Sequence, residues 1–473
     1  GQQPALAPRS ALFRPAERSG PLISPDGSRL VWLGTTNGLT QLWTRTIGTN
    51  DARLLSKDPR GSVRSPAWQA DGQAVLFLQD VEGLGASHVM QAHVASGNIR
   101  DLTPFVGVQG RIVGQSSKLL DEILLGLNLR DRRLADVHRV ELRTGALFPV
   151  EENSGEIAAW HPDDSLQVRL ARLVYPDGDS ALATRTDARS LWRPLLKWSA
   201  DESLGRVLGF NADGTRVRVL SSVGAPAQRL LEIPLDGSQA TALGHDPRHD
   251  VTAALIHPFT QELEAVQFTR ARADWKFAKR DLQRDFQALR NFRDADIDVV
   301  SRDVEGNVWT VAYASDDAPV SYALYDRRSG RVEPLFPEQE GLGSIQAART
   351  RAFELKARDG LALEGYLTLP AGVEPKRLPA VVLVHGGPWS RTVWGYDPEV
   401  QWLANRGYAV IQVNFRGSTG YGKDHLNAGD REWGGKILLD LLDAKAWAAG
   451  QGYIDPSKVA IVGAGFGGYA VMA

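Results

Sequence analysis

The chain contains no cysteine. That excludes disulfides, thiolate metal sites and a cysteine nucleophile together. It also lacks an excess of either charge: 54 Lys plus Arg stand against 56 Asp plus Glu, a net charge of −2. Nothing in this balance marks a nucleic-acid surface, and no nucleic-acid partner is expected. No apolar run reaches the length of about 18 residues that a membrane-spanning helix needs, so no membrane partner is expected either. No group of His and carboxylates has metal-ligand spacing, and neither a metal nor another cofactor is expected. The chain opens Gly1-Gln-Gln-Pro4 without Met or a signal peptide, as a mature secreted form or an engineered start would.

What the chain does have is length and repetition. Its 473 residues exceed one compact core, so two or three domains are expected. Ser24-Pro-Asp-Gly27 precedes the apolar run Leu30–Leu33, Ala70-Asp-Gly72 precedes Ala74–Leu78, and Ala212-Asp-Gly214 precedes Val217–Leu220. Val304-Glu-Gly306 precedes Val308–Ala312, and weaker copies sit near 116, 162 and 258. Most steps are about 46 residues, and each copy is a turn followed by alternating strands. A repeat of this length built of short strands reads as a four-stranded β-propeller blade, and seven copies predict seven blades. The propeller is expected over 21–345, behind an N-terminal segment 1–20. Trp275, Ala278, Leu282, Phe286, Leu289 and Phe292 recur at three- and four-residue steps. They predict a helical insertion near 272–292 whose stripe is packing.

From residue 350 to 473 the texture changes. A hairpin is expected around Asp359-Gly360, then buried strands at Pro379–His385, Tyr408–Asn414 and Val459–Val462. Helices are expected to end at Gly407 and to run from Trp433 to Ala449. Strands alternating with helices predict a parallel sheet covered on both faces. The last strand leads into Gly463-Ala-Gly-Phe-Gly-Gly468, which has two readings. One is a nucleophile elbow, G-x-S-x-G, with Gly465 in place of the serine. The other is G-x-G-x-x-G, the dinucleotide fingerprint, which also needs an acidic residue about 20 positions downstream.

Four segments in order weigh against the second: His385-Gly-Gly-Pro388, Asn414-Phe-Arg-Gly-Ser-Thr-Gly-Tyr-Gly422, Trp433-Gly-Gly435 and the glycine elbow. Together with a propeller ahead of them, they resemble the prolyl oligopeptidase family of serine peptidases, near its acylaminoacyl-peptidase-like and dipeptidyl-peptidase-like bacterial members. The resemblance covers nearly the whole chain. It implies a seven-bladed β-propeller followed by an α/β-hydrolase domain, of which 350–473 supply only the N-terminal half. It implies hydrolysis of peptide or isopeptide bonds in short peptides, with no cofactor. The family's nucleophile maps to Gly465, and its oxyanion donors map to the backbone N–H groups of Gly387 and Phe466. With Gly465 the chain is expected to be inactive. The triad order Ser, Asp, His places both partners beyond Ala473, so the remainder of the domain is expected as further residues or a second chain. A natural peptide-binding pseudoenzyme and a propeller scaffold are the alternatives.

Further residues follow less directly. His385, Trp389, Arg416 and Tyr421 lie near the glycine turns and are candidates for substrate binding. Arg416 also has Asp440 as a candidate structural partner. His425 is expected to be structural, and Ser418 sits in a turn with no partner readable from the sequence. For a bacterial member, a periplasmic or secreted location is favoured over a cytoplasmic one.

Overall fold

The computed structural model describes every residue except 1, 2, 84, 201, 203, 388 and 473, and of Leu204 its backbone alone. Seven antiparallel sheets follow one another along the chain, from Arg18–Ile23 in the first to Arg331–Pro337 in the last. They are the blades of a seven-bladed β-propeller. The recurring turn explains the repeat. Gly27, Gly72, Gly214 and Gly306 have φ between 70° and 76°, a left-handed conformation that glycine adopts without steric cost. The preceding aspartates cap the turn: Asp26, Asp71 and Asp213 accept the backbone N–H of Ser28, Gln73 and Thr215 at 2.9–3.0 Å.

The ring closes between the first and last blades without a shared sheet, through side chains and a few backbone bonds such as Glu17 N–H to Glu338 O at 2.7 Å and Val304 N–H to Pro25 O at 2.9 Å. Ile23, Leu30 and Trp32 pack with Val308, Tyr322 and Phe336, and the Ile23 N–H donates to Ser301 Oγ at 2.9 Å.

The sixth blade departs from the pattern, with three strands where the others have four. A helix, Arg280–Phe292, follows its third strand. The expected helical stripe is therefore two elements. Trp275 belongs to the strand Ala273–Phe277, and Ala278 lies between strand and helix. The Trp275 indole donates to Ile297 O of the next blade at 3.1 Å, which holds it in the sheet register. Its three-residue step to Ala278 mimics a helix without being one. The helix itself buries Leu282, Phe286 and Leu289 between blades six and seven.

The C-terminal domain is a five-stranded sheet. In spatial order its strands are Arg349–Lys356, Ala362–Leu369, Ala409–Asn414, Leu378–Val384 and Ile454–Gly463. It is mixed, not wholly parallel. The first two strands form an antiparallel hairpin, the second pairs antiparallel with Ala409–Asn414, and the remaining pairings are parallel. The strand ending at Gly463 is not buried on both faces as expected. It stands at the sheet edge, where Val459 and Ile461 turn toward the core and Ala460 and Val462 are exposed. The long helix begins at Lys436, after the Gly434-Gly435 pair, so Trp433 lies outside it. Ile437, Asp440, Leu441, Ala444 and Ala448 form its buried stripe.

The helix in blade six stands or falls with one ring. Phe286 is fully buried, with Phe277 at 5.0 Å and Trp275 at 5.4 Å between ring centroids. Phe286→Ala is expected to cost about 3–5 kcal/mol in urea unfolding; a loss under about 1 kcal/mol would show that the helix contributes little.

Candidate active site

The site is built around the backbone turn between the edge strand and the short helix Phe466–Met472. A Cβ built on Gly463 would lie 2.5 Å from the Gly467 carbonyl carbon, and one on Gly467 2.6 Å from Val384 O. Neither position can carry a side chain without moving backbone. Gly465, between them, has φ +58° and is exposed. A Cβ there would meet nothing within 4 Å. So the turn demands glycine at its flanks for space and leaves the centre open. Phe466 begins the helix, and its N–H has no acceptor within the helix.

The second glycine turn follows the strand Leu378–Val384. Gly387 has φ +124°, and a Cβ on it would lie 2.7 Å from the Trp389 nitrogen. Pro388, part of the expected motif, lies outside the described residues. A crevice of about 540 Å³ runs beside both turns, lined in part by His385, Gly386, Arg391, Gly463 and Ala464.

The structure places the four substrate-binding candidates differently from one another. Trp389 is 64% exposed and meets Trp433 edge-on at 6.1 Å. Trp433 in turn meets Phe466 at 5.5 Å, and Tyr469 stands 6.2 Å from Phe466. These rings form a partly exposed aromatic wall beside Gly465. Trp433 and Tyr469 had no assigned role in the sequence; the signal was the Trp433-Gly-Gly435 segment itself.

Arg416 is buried, and its guanidinium and backbone N–H are committed. It bonds Asp440 at 2.8 and 2.9 Å through its side chain and at 3.0 Å through its backbone, and bonds Asp359 at 2.8 and 3.0 Å. It is a structural clamp and not a ligand for a substrate carboxylate. Hydrogen bonding to Arg416 holds the Asp359 carboxyl down at about 2. Tyr421 is likewise withdrawn from substrate: it is buried, accepts a hydrogen bond from Asn414 at 2.9 Å and lies under the Arg391 guanidinium.

His385 is tied at both nitrogens. Nδ1 is 2.7 Å from Gly386 O, which can only accept, so Nδ1 carries the proton. Nε2, 2.9 Å from Ser418 Oγ, then accepts from that hydroxyl. This supplies the partner that Ser418 lacked in the sequence. Burial lowers the His385 pKa, which keeps the ring in this neutral form. Ser418 is fully buried, so the pair holds two loops together and keeps the hydroxyl inside, while the imidazole lines the crevice. Phe415 stacks on the imidazole at 4.3 Å and touches Phe466 at 5.8 Å, linking this clasp to the elbow.

The loop Arg416–Lys423 seats on the propeller. Asp250 N–H donates to Gly420 O at 3.0 Å, Lys423 N–H donates to Pro226 O at 2.9 Å, and the Lys423 ammonium meets Glu202 at 3.0 Å. Arg391 donates to Thr269 O and Arg270 O of blade six. The glycine turns therefore lie on the side of the domain that faces the propeller.

Comparison with known proteins places this arrangement. Residues 394–473 match the prolyl oligopeptidase family. The chain is 34% identical over 476 residues to dipeptidyl aminopeptidase BIII of Pseudoxanthomonas mexicana, covering 99% of this chain and 69% of that protein. It is 28% identical to dipeptidyl peptidase family member 6 of Caenorhabditis elegans, covering 99% of this chain and 68% of that one. In fold it is similar to a puromycin-hydrolyzing peptidase of Mycobacterium tuberculosis, with a TM-score of 0.73, 19% identity, and coverage of 100% of this chain and 77% of that one. Among the described residues no helix is long and apolar enough to cross a membrane.

Two measurements test the clamp and the buried histidines. Arg416→Ala leaves Asp440 buried and unpaired and is expected to cost about 3–5 kcal/mol by urea unfolding; Asp359→Ala, at the exposed end, is expected to cost much less. His425 is buried and donates to Phe415 O at 3.0 Å, and burial brings its pKa down from 6.5 to about 4. The unfolded chain takes up a proton near 6.5 while the folded chain stays neutral to about 4. Stability is therefore complete above pH 6.5 and falls by about 3 kcal/mol across that window for a shift of this size. His425→Gln, which keeps a donor for Phe415 O, should flatten the decline. Identical pH profiles in the variant and the wild type would count against this account.

Proposed function

We propose that this chain, which belongs to the prolyl oligopeptidase family of serine peptidases, is built to hydrolyse peptide bonds of short peptides through an acyl-enzyme, with its nucleophile replaced by Gly465. The observation that carries this reading is the elbow. Its flanking glycines, Gly463 and Gly467, are packed against backbone, while position 465 between them has space for a side chain on an exposed turn. On this reading a serine there would extend from the turn whose Gly463 and Ala464 line the crevice, and would act with Gly387 and Phe466. Their N–H groups are the donors for a tetrahedral oxyanion, and one such donor is worth about 100- to 1,000-fold in rate. The aromatic wall of Trp389, Trp433 and Tyr469 would hold apolar substrate side chains. The propeller, seated over the glycine turns, would limit access to short or unfolded peptides.

The Asp and His of the triad would come from a further part of the domain, as continuing residues or a second chain. The exposed apolar edge at Ala460 and Val462 supports this, since an uncovered strand of this kind invites pairing. As given, the chain is inactive on this reading. A second reading, a pseudoenzyme that binds peptides without cleaving them, draws on the same observation: glycine relieves the strained turn while the backbone donors remain.

The test is Gly465→Ser in the protein that includes the rest of the domain, assayed on peptide anilides. Hydrolysis is expected to rise by roughly a million-fold over the Gly465 form. Peptide binding without any gain in hydrolysis would favour the pseudoenzyme, and loss of both would sink the peptidase reading.

A further inference from the structure

A second cavity, of about 500 Å³, opens where the N-terminal helix, the last blade, the linker into the hydrolase domain and the loop before Pro398 meet. Its apolar walls include Leu12, Pro319 and Ile345. Its polar groups are incompletely satisfied. Arg293, just past the blade-six helix, donates to Ser321 Oγ at 3.0 Å and Ser315 Oγ at 3.3 Å. Among the described residues no carboxylate lies within the 4.0 Å of an ion pair with it. A guanidinium carries five N–H groups, so donors remain for a ligand. Gln339 Oε1 and Tyr396 Oη also line the cavity, and both are buried without a hydrogen-bond partner. Two more buried atoms without partners, Asp316 Oδ1 and Trp402 Nε1, belong to residues adjacent in sequence to the lining residues Asp317 and Gln401. Buried polar atoms are rarely left unpaired, and the two on lining residues, Gln339 Oε1 and Tyr396 Oη, call for a cause.

We propose that this cavity binds a small zwitterion with an apolar side chain, of the chemistry of an amino acid or dipeptide. Its carboxylate pairs with Arg293, where a planar guanidinium offers a two-pronged, charge-assisted contact. Its ammonium or amide N–H donates to Gln339 Oε1 and Tyr396 Oη. Its apolar group rests on Leu12, Pro319 and Ile345. The cavity also has two carboxylates in its lining, Asp317 and Glu340, each paired with an arginine outside it, Arg349 and Arg18, which among the described residues leaves Arg293 as the cation free to meet a ligand carboxylate. Because propeller, linker and hydrolase residues all line it, the ligand would bridge the two domains. Tyr396 also lines the crevice beside the elbow, so it is shared between the two hollows.

Calorimetric titration of the full chain with glycyl-leucine tests this, with leucinamide as the probe lacking a carboxylate. Saturable binding of glycyl-leucine is expected, with leucinamide far weaker. Arg293→Gln should weaken binding by about ten- to a hundred-fold, the range for a lost charged hydrogen bond. Gly343 lines the cavity, lies outside the left-handed region, and has nothing within 4 Å of a built Cβ. Gly343→Trp should therefore fill the cavity without backbone strain and abolish binding, an independent check should Arg293→Gln fail to fold. Trp389→Ala, beside the elbow, should leave this binding intact. Three results would overturn the proposal: no saturable binding, leucinamide binding as well as glycyl-leucine, or binding that survives Gly343→Trp but is lost in Trp389→Ala.

Discussion

Backbone against backbone at the elbow sets the geometry of the whole C-terminal domain. Gly467 approaches Val384 O so closely that no Cβ fits between them, and Gly463 packs the same way on Gly467. The helix Phe466–Met472 is thereby pressed onto the end of the strand Leu378–Val384, the strand that leads directly into His385 and the second glycine turn. The two turns cannot move independently. His385 then fastens to Ser418, Phe415 bridges the imidazole and Phe466, and Arg416 fastens the same loop to Asp440 on the long helix. A rigid set of backbone donors follows from this packing, which suits chemistry that needs its electrostatics arranged in advance.

The same loop carries the constraint outward to the propeller. Its contacts there are largely with backbone: Asp250 N–H donates to Gly420 O and Lys423 N–H to Pro226 O, and Arg391 of the preceding loop adds Thr269 O and Arg270 O. Main-chain acceptors are fixed by the blade sheets, so the seat is as stiff as blades five and six. The ring closure adds a packed apolar cluster from the first and last blades to its backbone bonds, Glu17 N–H to Glu338 O and Val304 N–H to Pro25 O, so it depends on packing volume as well as on hydrogen-bond geometry.

Local rules were legible in the sequence, and long-range ones were not. The blades could be counted because four of them share an Asp-Gly or Glu-Gly turn with a left-handed glycine; in two weaker copies Leu166 and Gln261 take the left-handed conformation instead. The four C-terminal segments were readable because glycine in a row marks backbone crowding. The start of the blade-six helix was misread because one ring, Trp275, satisfies strand and helix spacing alike. Arg416 and Tyr421 were placed near substrate by proximity in sequence to glycine turns. The Arg416–Asp440 pair was already a candidate in the sequence and forms, whereas Asp359, Asn414 and Arg391 come from separate elements and become visible only in three dimensions. The Ser418 hydroxyl is the same case, since its histidine lies 33 residues away.

The three elbow glycines differ in what they tolerate, and the difference bears on how a chain of this family could come to have glycine at 465. Substitution at 463 or 467 forces backbone apart, so those positions are fixed by the fold. At 465 the space is open and the only cost of a side chain is its left-handed backbone, on the order of 1 kcal/mol for a residue with a Cβ. On the proposed reading of 465 as the nucleophile position, glycine there would remove a reactive group and relax the turn in one step, with no compensating change required elsewhere. Serine there would reintroduce strain that only the flanking contacts hold in place, the pattern expected where a strained residue is kept for reactivity. The elbow can therefore exchange a strained nucleophile for a relaxed glycine while its packing, its backbone donors and its link to the propeller stay as they are.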